Sequence, residues 1–371
     1  MSFASDVSVV IPVYNPGPHL NNCIESVLTQ HGCDIEVLIV DDGSTDNSPG
    51  VLDELSGRDP RVTVFHQANQ GAGPARNFGI EHAHGAYIAF MDADDFYPNN
   101  HVLSDLLNAA EANKASVCGG SIALFKQDTE TYVDTFAEDE LYVFKKRGWR
   151  DYVNDQMDYG YTRFIYKRDI FEDVSLRFPA RKWYEDPLFY VPVMQKIQRY
   201  YVLTDVVYVY RISHKQTDWT PRLACDLLLG SMENYRFAHE HGLAKLKRTI
   251  MHRLTTVDCP HVILNTTDDE VLRRLGDFQA MLNDLGTNEV VPILRELGKR
   301  SEYLDVVVQD LADERSDRML LERKLAQISD NRDTSINQRE VAIVRLARII
   351  GGSRIYRGMQ RIARALLHPQ G

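Results

Sequence analysis

Short apolar runs alternate with amphipathic segments over residues 1–100 of the chain. Residues 7–13 (VSVVIPV) and 35–40 (IEVLIV) are almost continuously apolar, which is typical of parallel strands buried on both faces. Between them, residues 19–30 place Leu20 and Val27 on one face of a predicted helix. The alternation continues with a helix near 48–57, a strand over 61–66, a helix over 74–83 and a strand over 86–91. This order predicts an α/β domain with a mostly parallel sheet flanked by helices.

The pattern changes twice further along the chain. Strand-like pieces follow at 116–124, 161–166 and 200–210, and we interpret them as the second half of one domain that covers residues 1–220. Long amphipathic helices with few strand signals then predict a mainly α-helical domain over 221–335. Roughly heptad-spaced apolar residues between 304 and 328 leave two interpretations open, an oligomerisation helix or an ordinary packed helix.

Residues 336–371 form a third segment, in which arginines are interleaved with valine, isoleucine and leucine. In a chain of formal net charge −11, this basic amphipathic end is a marked charge asymmetry. The segment is therefore expected either to bind an anionic membrane surface or anionic polymer, or to pack its apolar face in a homo-oligomer.

Composition narrows the class of protein. The acidic balance makes nucleic acid a poor partner, and 44 % hydrophobic residues suffice for a packed core. Five widely spread cysteines without a CxxC pair fit reduced thiols. No signal peptide and no apolar stretch of membrane-spanning length is visible. We expect a cytoplasmic protein, with any membrane contact made peripherally from the cytoplasmic face.

Carboxylates follow two of the predicted strands at the ends where α/β proteins bind ligands. Asp41 ends the second strand, and the strand over 86–91 leads into Asp92, Ala93, Asp94 and Asp95. Three carboxylates within four residues repel one another unless a cation lies between them, and Mg²⁺ or Mn²⁺ prefers such oxygen ligands. A solvated acidic loop or a helix N-cap is the alternative that the pattern alone leaves open.

Five motifs follow one another in the first hundred residues: VVIPVYN at 9–15, SVLTQ at 26–30, VDDGSTD at 40–46, NQGAGPARN at 69–77 and FMDADD at 90–95. In this order they are similar to those of the family 2 inverting glycosyltransferases of the GT-A fold, among them bacterial teichoic-acid and cell-surface polysaccharide enzymes. The resemblance is strong over about 6–100 and looser over about 100–215.

The resemblance implies roles for the residues that bind the donor. Pro12, Val13 and Tyr14 resemble the loop that packs on the nucleobase, and Asp41 resembles the acceptor of a hydrogen bond from the uracil edge. Arg76 resembles the contact to the nucleotide, with a structural ion pair to nearby acids as its alternative.

The same resemblance places Asp92 and Ala93 on the donor and makes Asp94 the more direct ligand of Mn²⁺ or Mg²⁺. Later in the chain, Glu185 and Asp186 resemble a Glu-Asp pair whose aspartate is the catalytic base, although Asp before Pro187 also suits a helix N-terminus.

Residues 209–216 resemble a loop that closes over the diphosphate. In that loop Arg211 would contact phosphate and His214 would be a weak metal ligand.

We therefore expect a metal-dependent inverting transferase that moves a hexose or N-acetylhexosamine from a UDP-sugar. The acceptor would be a hydroxyl of a cell-surface glycopolymer, such as a teichoic acid or polysaccharide, or of a lipid-linked glycan. By analogy with teichoic-acid enzymes that form trimers, a homo-oligomer is plausible. A nucleotidyltransferase and a non-catalytic scaffold that binds nucleotide-sugars are the rival hypotheses.

Overall fold

The computed structural model describes residues 5–133, 142–212, 217–266 and 268–294. His214, the heptad-like region and the basic segment 336–371 lie outside the described residues. The chain divides into two compact units. The first takes the described residues up to Thr217 together with Glu240–Leu246, and the second takes Asp218–His239 and the described residues from Lys247 onward.

The first unit is built on one mixed sheet. Its strands are β1 (Val7–Val13), β2 (Ile35–Asp41), β3 (Val62–His66), β4 (Tyr87–Phe90), β5 (Val117–Lys126), β6 (Thr131–Val133), β7 (Gly148–Asp151), β8 (Phe164–Lys167) and β9 (Arg199–Ile212). They run in the order β3-β2-β1-β4-β8-β5-β9-β7, with β6 paired to β5. The pairs β1–β2, β2–β3, β1–β4 and β5–β9 are parallel, whereas β8 is antiparallel to both of its neighbours.

Helices connect the strands, and among the described residues of the second unit no strand is found. The helices are α1 (Leu20–Leu28), α2 (Ser48–Arg58), α3 (Ala72–His82), α4 (Val102–Asn113), α5 (Tyr152–Asp155), α6 (Glu185–Ile197), α7 (Pro221–Glu240), α8 (Ala244–Thr256), α9 (Cys259–Leu264) and α10 (Asp269–Asp284). Short 3₁₀ turns lie at Gly17–His19, Tyr161–Arg163 and Arg168–Glu172.

The alternation of side chains along β1 explains how the first helices pack. Val9 and Val13 are fully buried on one face, in the same core cluster as Leu20 of α1. On the other face Val10 meets Gly79 of α3, where a Cβ would lie 2.3 Å from Val10 Cγ1. Only a glycine lets α3 approach the strand so closely, and α3 in turn carries Arg76 to the carboxyl end of the sheet.

No helix in the part of the chain that the structure describes is long and apolar enough to cross a membrane.

Candidate active site

A cleft of about 670 Å³ opens at the edge of the sheet where β4 and β9 end. It brings together six residues that the sequence singled out: Arg76, Asp92, Asp94, Glu185, Asp186 and Arg211. The remaining lining side chains are largely aromatic or aliphatic, and they include Ile122, Leu124, Tyr142, Tyr159, Tyr161, Trp183, Tyr184, Tyr208, Tyr210 and Ile212. The acidic run after β4 and the Glu-Asp pair therefore face one space, although about ninety residues of sequence separate them.

Asp95 attaches the acidic run to β9, although the sequence did not single this residue out for a role. Asp95 is 1 % exposed and accepts hydrogen bonds from Tyr208 Oη at 2.7 Å and from the backbone N–H of Arg211 at 2.7 Å. Burial, together with the charges of Asp92 and Asp94, raises the pKa of Asp95 well above its ordinary value. Little in the sequence indicates this role, because a third acid after Asp92 and Asp94 resembles any loop carboxylate. The partners that bury Asp95 come from β9, far away in the sequence.

Arg76 is the centre of the charged cluster. Its side chain is only 6 % exposed, and its Nη2 donates to Asp92 Oδ1 at 2.8 Å. Its Nη1 lies 3.4 Å from Glu185 Oε1 and 3.6 Å from Asp186 Oδ1. The guanidinium also stacks over the rings of Tyr161 and Phe178, 5.2 and 5.1 Å from their centroids. In this structure Arg76 forms the ion pairs that the sequence left as the alternative to a nucleotide contact.

Helix α3 fixes the segment that leads into the Glu-Asp pair. Asn77 accepts from the N–H of Phe178 at 2.9 Å and donates to its carbonyl at 2.8 Å, as a strand would. Gly73 lies against the same segment, and a Cβ there would come within 2.6 Å of the Pro179 carbonyl oxygen. Within the NQGAGPARN motif, Arg76 thus lies between Gly73 and Asn77, and these two residues position the segment that leads to Glu185 and Asp186.

Glu185 and Asp186 begin α6. The preceding residue, Tyr184, has a left-handed backbone (φ 68°), an unfavourable conformation for a bulky residue that is characteristic of functional sites. Asp186 Oδ1 is buried and accepts no hydrogen bond among the described residues. Burial and the neighbouring Glu185 carboxylate raise the pKa of Asp186 well above its ordinary value, although Arg76 opposes them.

Arg211 lies within β9, which continues to Ile212. The sequence predicted that the strand ends at residue 210 and that Arg211 belongs to a loop. Its Nε donates to the carbonyl of Asp94 at 2.7 Å, its Nη2 donates to Asn22 Oδ1 at 2.8 Å, and its Nη1 donates to Gln127. The guanidinium of Arg211 is therefore held by the protein, and it supports the backbone of the acidic run.

The residues expected at the nucleobase lie at the ends of β1 and β2 and do not line the cleft. Pro12 and Val13 are buried in β1, while Tyr14 keeps 51 % of its surface exposed. Ala93 is also buried, at 8 % exposed. Of these residues, only Tyr14 presents an accessible ring, whereas the carbonyl of Val13 accepts from the N–H of Asp42 at 2.8 Å.

Asp41 is held on both oxygens. Its Oδ1 accepts from the Ser44 N–H at 3.0 Å, and its Oδ2 lies 2.8 Å from His66 Nδ1, whose Nε2 contacts Asp53 at 3.0 Å. Burial disfavours the ionised form of Asp41, but the hydrogen bonds from Ser44 and His66 outweigh it and lower the pKa of Asp41. The contacts with Asp41 and Asp53 raise the pKa of His66.

The carboxylates of the cleft suit a hard divalent cation that binds together with a phosphorylated substrate. Asp92 and Asp94 both line the cleft, and Asp92 Oδ1 already accepts from Arg76 and Tyr161. Within the described ranges, no group of three or more His, Cys, Asp or Glu side chains is arranged as a closed metal cage. Two carboxylates completed by phosphate oxygens and water are a usual arrangement for Mg²⁺, so the donor set fits.

Comparison with known proteins shows which family this domain resembles. Residues 8–175 match the family model described as Glycosyl transferase family 2. The uncharacterized glycosyltransferase EpsJ of Bacillus subtilis (strain 168) is 34 % identical over 214 residues, which cover 55 % of this chain and 60 % of EpsJ. The uncharacterized glycosyltransferase YibD of Escherichia coli (strain K12) is 43 % identical over 120 residues, 30 % of this chain and 35 % of YibD. The chain thus spans about 60 % of the length of EpsJ and 35 % of that of YibD, less than two thirds of either.

Solved structures support the fold. S. aureus TarS 1–349, determined in complex with UDP-GlcNAc, superposes with a TM-score of 0.52 at 20 % identity over 74 % of this chain and 81 % of that one. Longer S. aureus TarS gives the same TM-score over 75 % of this chain and 49 % of that one. The predicted α/β fold of GT-A type with a helical C-terminal region is confirmed. Over residues 8–175, this chain is similar to glycosyl transferase family 2.

Proposed function

We propose that the protein is a metal-dependent inverting glycosyltransferase that moves a hexose or N-acetylhexosamine from a UDP-sugar to a glycan hydroxyl. One observation carries the proposal: the acidic run after β4 and the Glu-Asp pair of α6 line the same cleft and share Arg76 as a partner. The proposed donor site and the proposed base are thus linked through the side chain of Arg76, which pairs with residues of both.

Asp186 is the proposed base. A carboxylate that removes a proton from a hydroxyl works best when its pKa is raised toward the working pH, and burial beside Glu185 acts in this direction. Arg76 favours the ionised form of Asp186, so the group stays available to accept the proton. A single base that activates the attacking hydroxyl, with no second nucleophile required, accounts for inversion at the anomeric carbon.

Asp94, assisted by Asp92, is proposed to hold Mn²⁺ or Mg²⁺. A bound divalent cation supplies charge that offsets the negative charge developing on a leaving diphosphate. The chain's own contribution is the fixed position of the acidic run, which Asp95 and Arg211 hold against β9.

The choice of UDP rests on Asp41 and on likeness to relatives. A carboxylate with both oxygens held by Ser44 and His66 is an oriented acceptor for the N–H of a uracil edge. The exposed Tyr14 at the end of the adjacent strand offers a ring on which the base can stack. The UDP-GlcNAc complex of S. aureus TarS is in keeping with this donor class.

The test is a pair of measurements on Asp186→Asn. We expect transfer to fall by about 10²–10⁴-fold, because the amide accepts no proton, while binding of UDP with Mn²⁺ stays close to wild type. Thermal stabilisation by UDP, with and without Mn²⁺, reports the binding. Asp169→Asn, at a carboxylate that is 51 % exposed and outside the cleft, is the matched control. Near-normal transfer by Asp186→Asn would exclude this residue as the base, and a wild-type protein that UDP does not stabilise would exclude the donor.

A further inference from the structure

Aromatic side chains that the donor and base do not use lie in the same cleft. Tyr142, Tyr159 and Trp183 line it and are only partly buried. Rings left half-exposed inside a concave site present flat apolar faces to a ligand, and a pyranose ring has a matching face of C–H groups.

Two of these rings lie at the segment that carries the proposed base. Trp183 precedes Glu185 by two residues. The ring of Tyr159 meets that of Tyr184 edge to face, with centroids 6.2 Å apart and an interplanar angle of 78°. Tyr184 immediately precedes the Glu-Asp pair, and Tyr159, Trp183 and Asp186 all line one cleft, so a sugar ring bound against the two aromatic rings would share that cleft with Asp186.

The charges of the cleft indicate which kind of sugar suits these rings. Four carboxylates line the space. Of the lining cations, Arg76 and Arg211 are buried and bound to the protein's own carboxylates, carbonyls and amides, and Lys182 is the one in an exposed position. An anionic acceptor would add negative charge beside these carboxylates and beside the donor diphosphate, which Coulomb repulsion disfavours.

We propose that Tyr159 and Trp183 form the acceptor subsite and that it takes an uncharged pyranose residue, which stacks on these rings and presents a hydroxyl to Asp186. The acceptor is then the neutral sugar end of a glycan and not a phosphate- or carboxylate-bearing unit. This inference rests on the proposed transferase function, since Asp186 defines where the reacting hydroxyl lies.

Ligand-observed NMR in the presence of UDP and Mn²⁺ tests the subsite without knowledge of the natural acceptor. The probes are methyl glucoside and methyl galactoside, each against its uronide, which differs by a carboxylate at carbon 6. We expect at least one neutral glycoside to bind, with its uronide weaker by about tenfold or more, as burial of unpaired charge predicts. Equal or tighter binding of the uronide, or no binding of either neutral glycoside, would overturn the proposal.

Substitutions locate the binding. Trp183→Ala and Tyr159→Ala should each abolish the neutral glycoside's signal, whereas Trp183→Phe and Tyr159→Phe should retain it. Trp149→Ala, at a ring 42 % exposed on β7 and outside the cleft, is the control and should change nothing. Glycoside binding that survives both alanine substitutions would refute the assignment.

Hydrolysis of a UDP-sugar in the absence of acceptor separates the two hypotheses. The control variant Trp149→Ala, which lies outside the cleft, should keep it. Wild-type protein that lacks this hydrolysis and is not stabilised by UDP contradicts the proposed function, and the glycoside titration then stands or falls on its own result.

Discussion

Replacing Arg76 by methionine removes a cation that lies between three carboxylates of the cleft. Its side chain is 6 % exposed and pairs with Asp92, Glu185 and Asp186 at 2.8, 3.4 and 3.6 Å. Methionine fills much of the same volume but leaves the carboxylates facing one another. The substitution therefore tests the ion pairs more than the packing.

The expected cost follows from the burial of the cluster. Removing one partner of a buried ion pair typically costs about 3–5 kcal/mol, because the remaining charge stays desolvated. For a domain of this size, about 2–4 °C of melting temperature accompany each kcal/mol, so we expect a loss of about 6–20 °C. Arg58→Met, at an exposed pair with Glu54 on α2, should cost only about 0.3–0.5 kcal/mol and is the control.

The pH dependence gives a second criterion. Arg76 lowers the pKa of Asp186, so its loss raises that pKa further above the unfolded value. The folded variant then binds protons more readily than its unfolded chain, and its stability falls as the pH rises. Urea unfolding in the presence of a chelator, at about pH 5.5 and about pH 8, should show the larger penalty at the higher pH.

Two results would refute this reasoning. One is an Arg76→Met protein whose free energy of unfolding lies within about 1 kcal/mol of wild type at both pH values, as for a surface substitution. The other is a large penalty that does not change with pH, which would indicate lost packing against Tyr161 and Phe178 instead of exposed charge.

Three further predictions concern the elements around the site. His66→Gln should destabilise the protein more at about pH 6 than at about pH 9. The pKa of His66 is raised in the folded protein, so its contact with Asp41 stabilises the fold most below the pKa of the unfolded chain and loses this effect as the pH rises. An equal penalty in urea unfolding at both pH values would contradict this. Gly73→Ala should cost about 1–3 kcal/mol by overpacking, whereas Gly50→Ala, with open space around it on α2, should be neutral or stabilising; equal melting temperatures would contradict the close approach. Asp95→Asn should cost about 1–3 kcal/mol in denaturant unfolding, since an amide cannot replace both hydrogen bonds; a change below about 0.5 kcal/mol would show that they contribute little.

The elements of the first hundred residues were predictable because each is locally encoded. The strand expected over 61–66 is Val62–His66, and the helix expected over 74–83 is Ala72–His82. The spacing of apolar residues that predicts each of these elements lies within the element itself and does not depend on residues far away in the sequence. Arg76, Asp92, Asp94 and Asp186, which the resemblance selected, line one cleft in the structure, and their roles stay predictions.

What the sequence did not show depends on contacts across the sheet. The antiparallel insertion of β8 between β4 and β5 leaves no periodic signal, since a buried strand reads alike in both directions. Asp95 and the full engagement of Arg211 depend on β9, more than a hundred residues later in the chain. A motif gives the identity of a side chain, whereas its partners are set by topology.

Helix α3 places Gly73, Arg76 and Asn77 on one stripe, at the three- and four-residue spacing of a single helical face. Each helical residue advances the direction of a side chain by about 100°. Inserting or deleting one residue between Gly73 and Asn77 would therefore separate the glycine contact from the amide clamp and turn Arg76 away from its carboxylates, even if the helix still formed. An insertion or deletion between Gly73 and Asn77 is therefore compatible only with a protein that gives up the cluster, whereas a substitution elsewhere on the helix leaves this spacing intact.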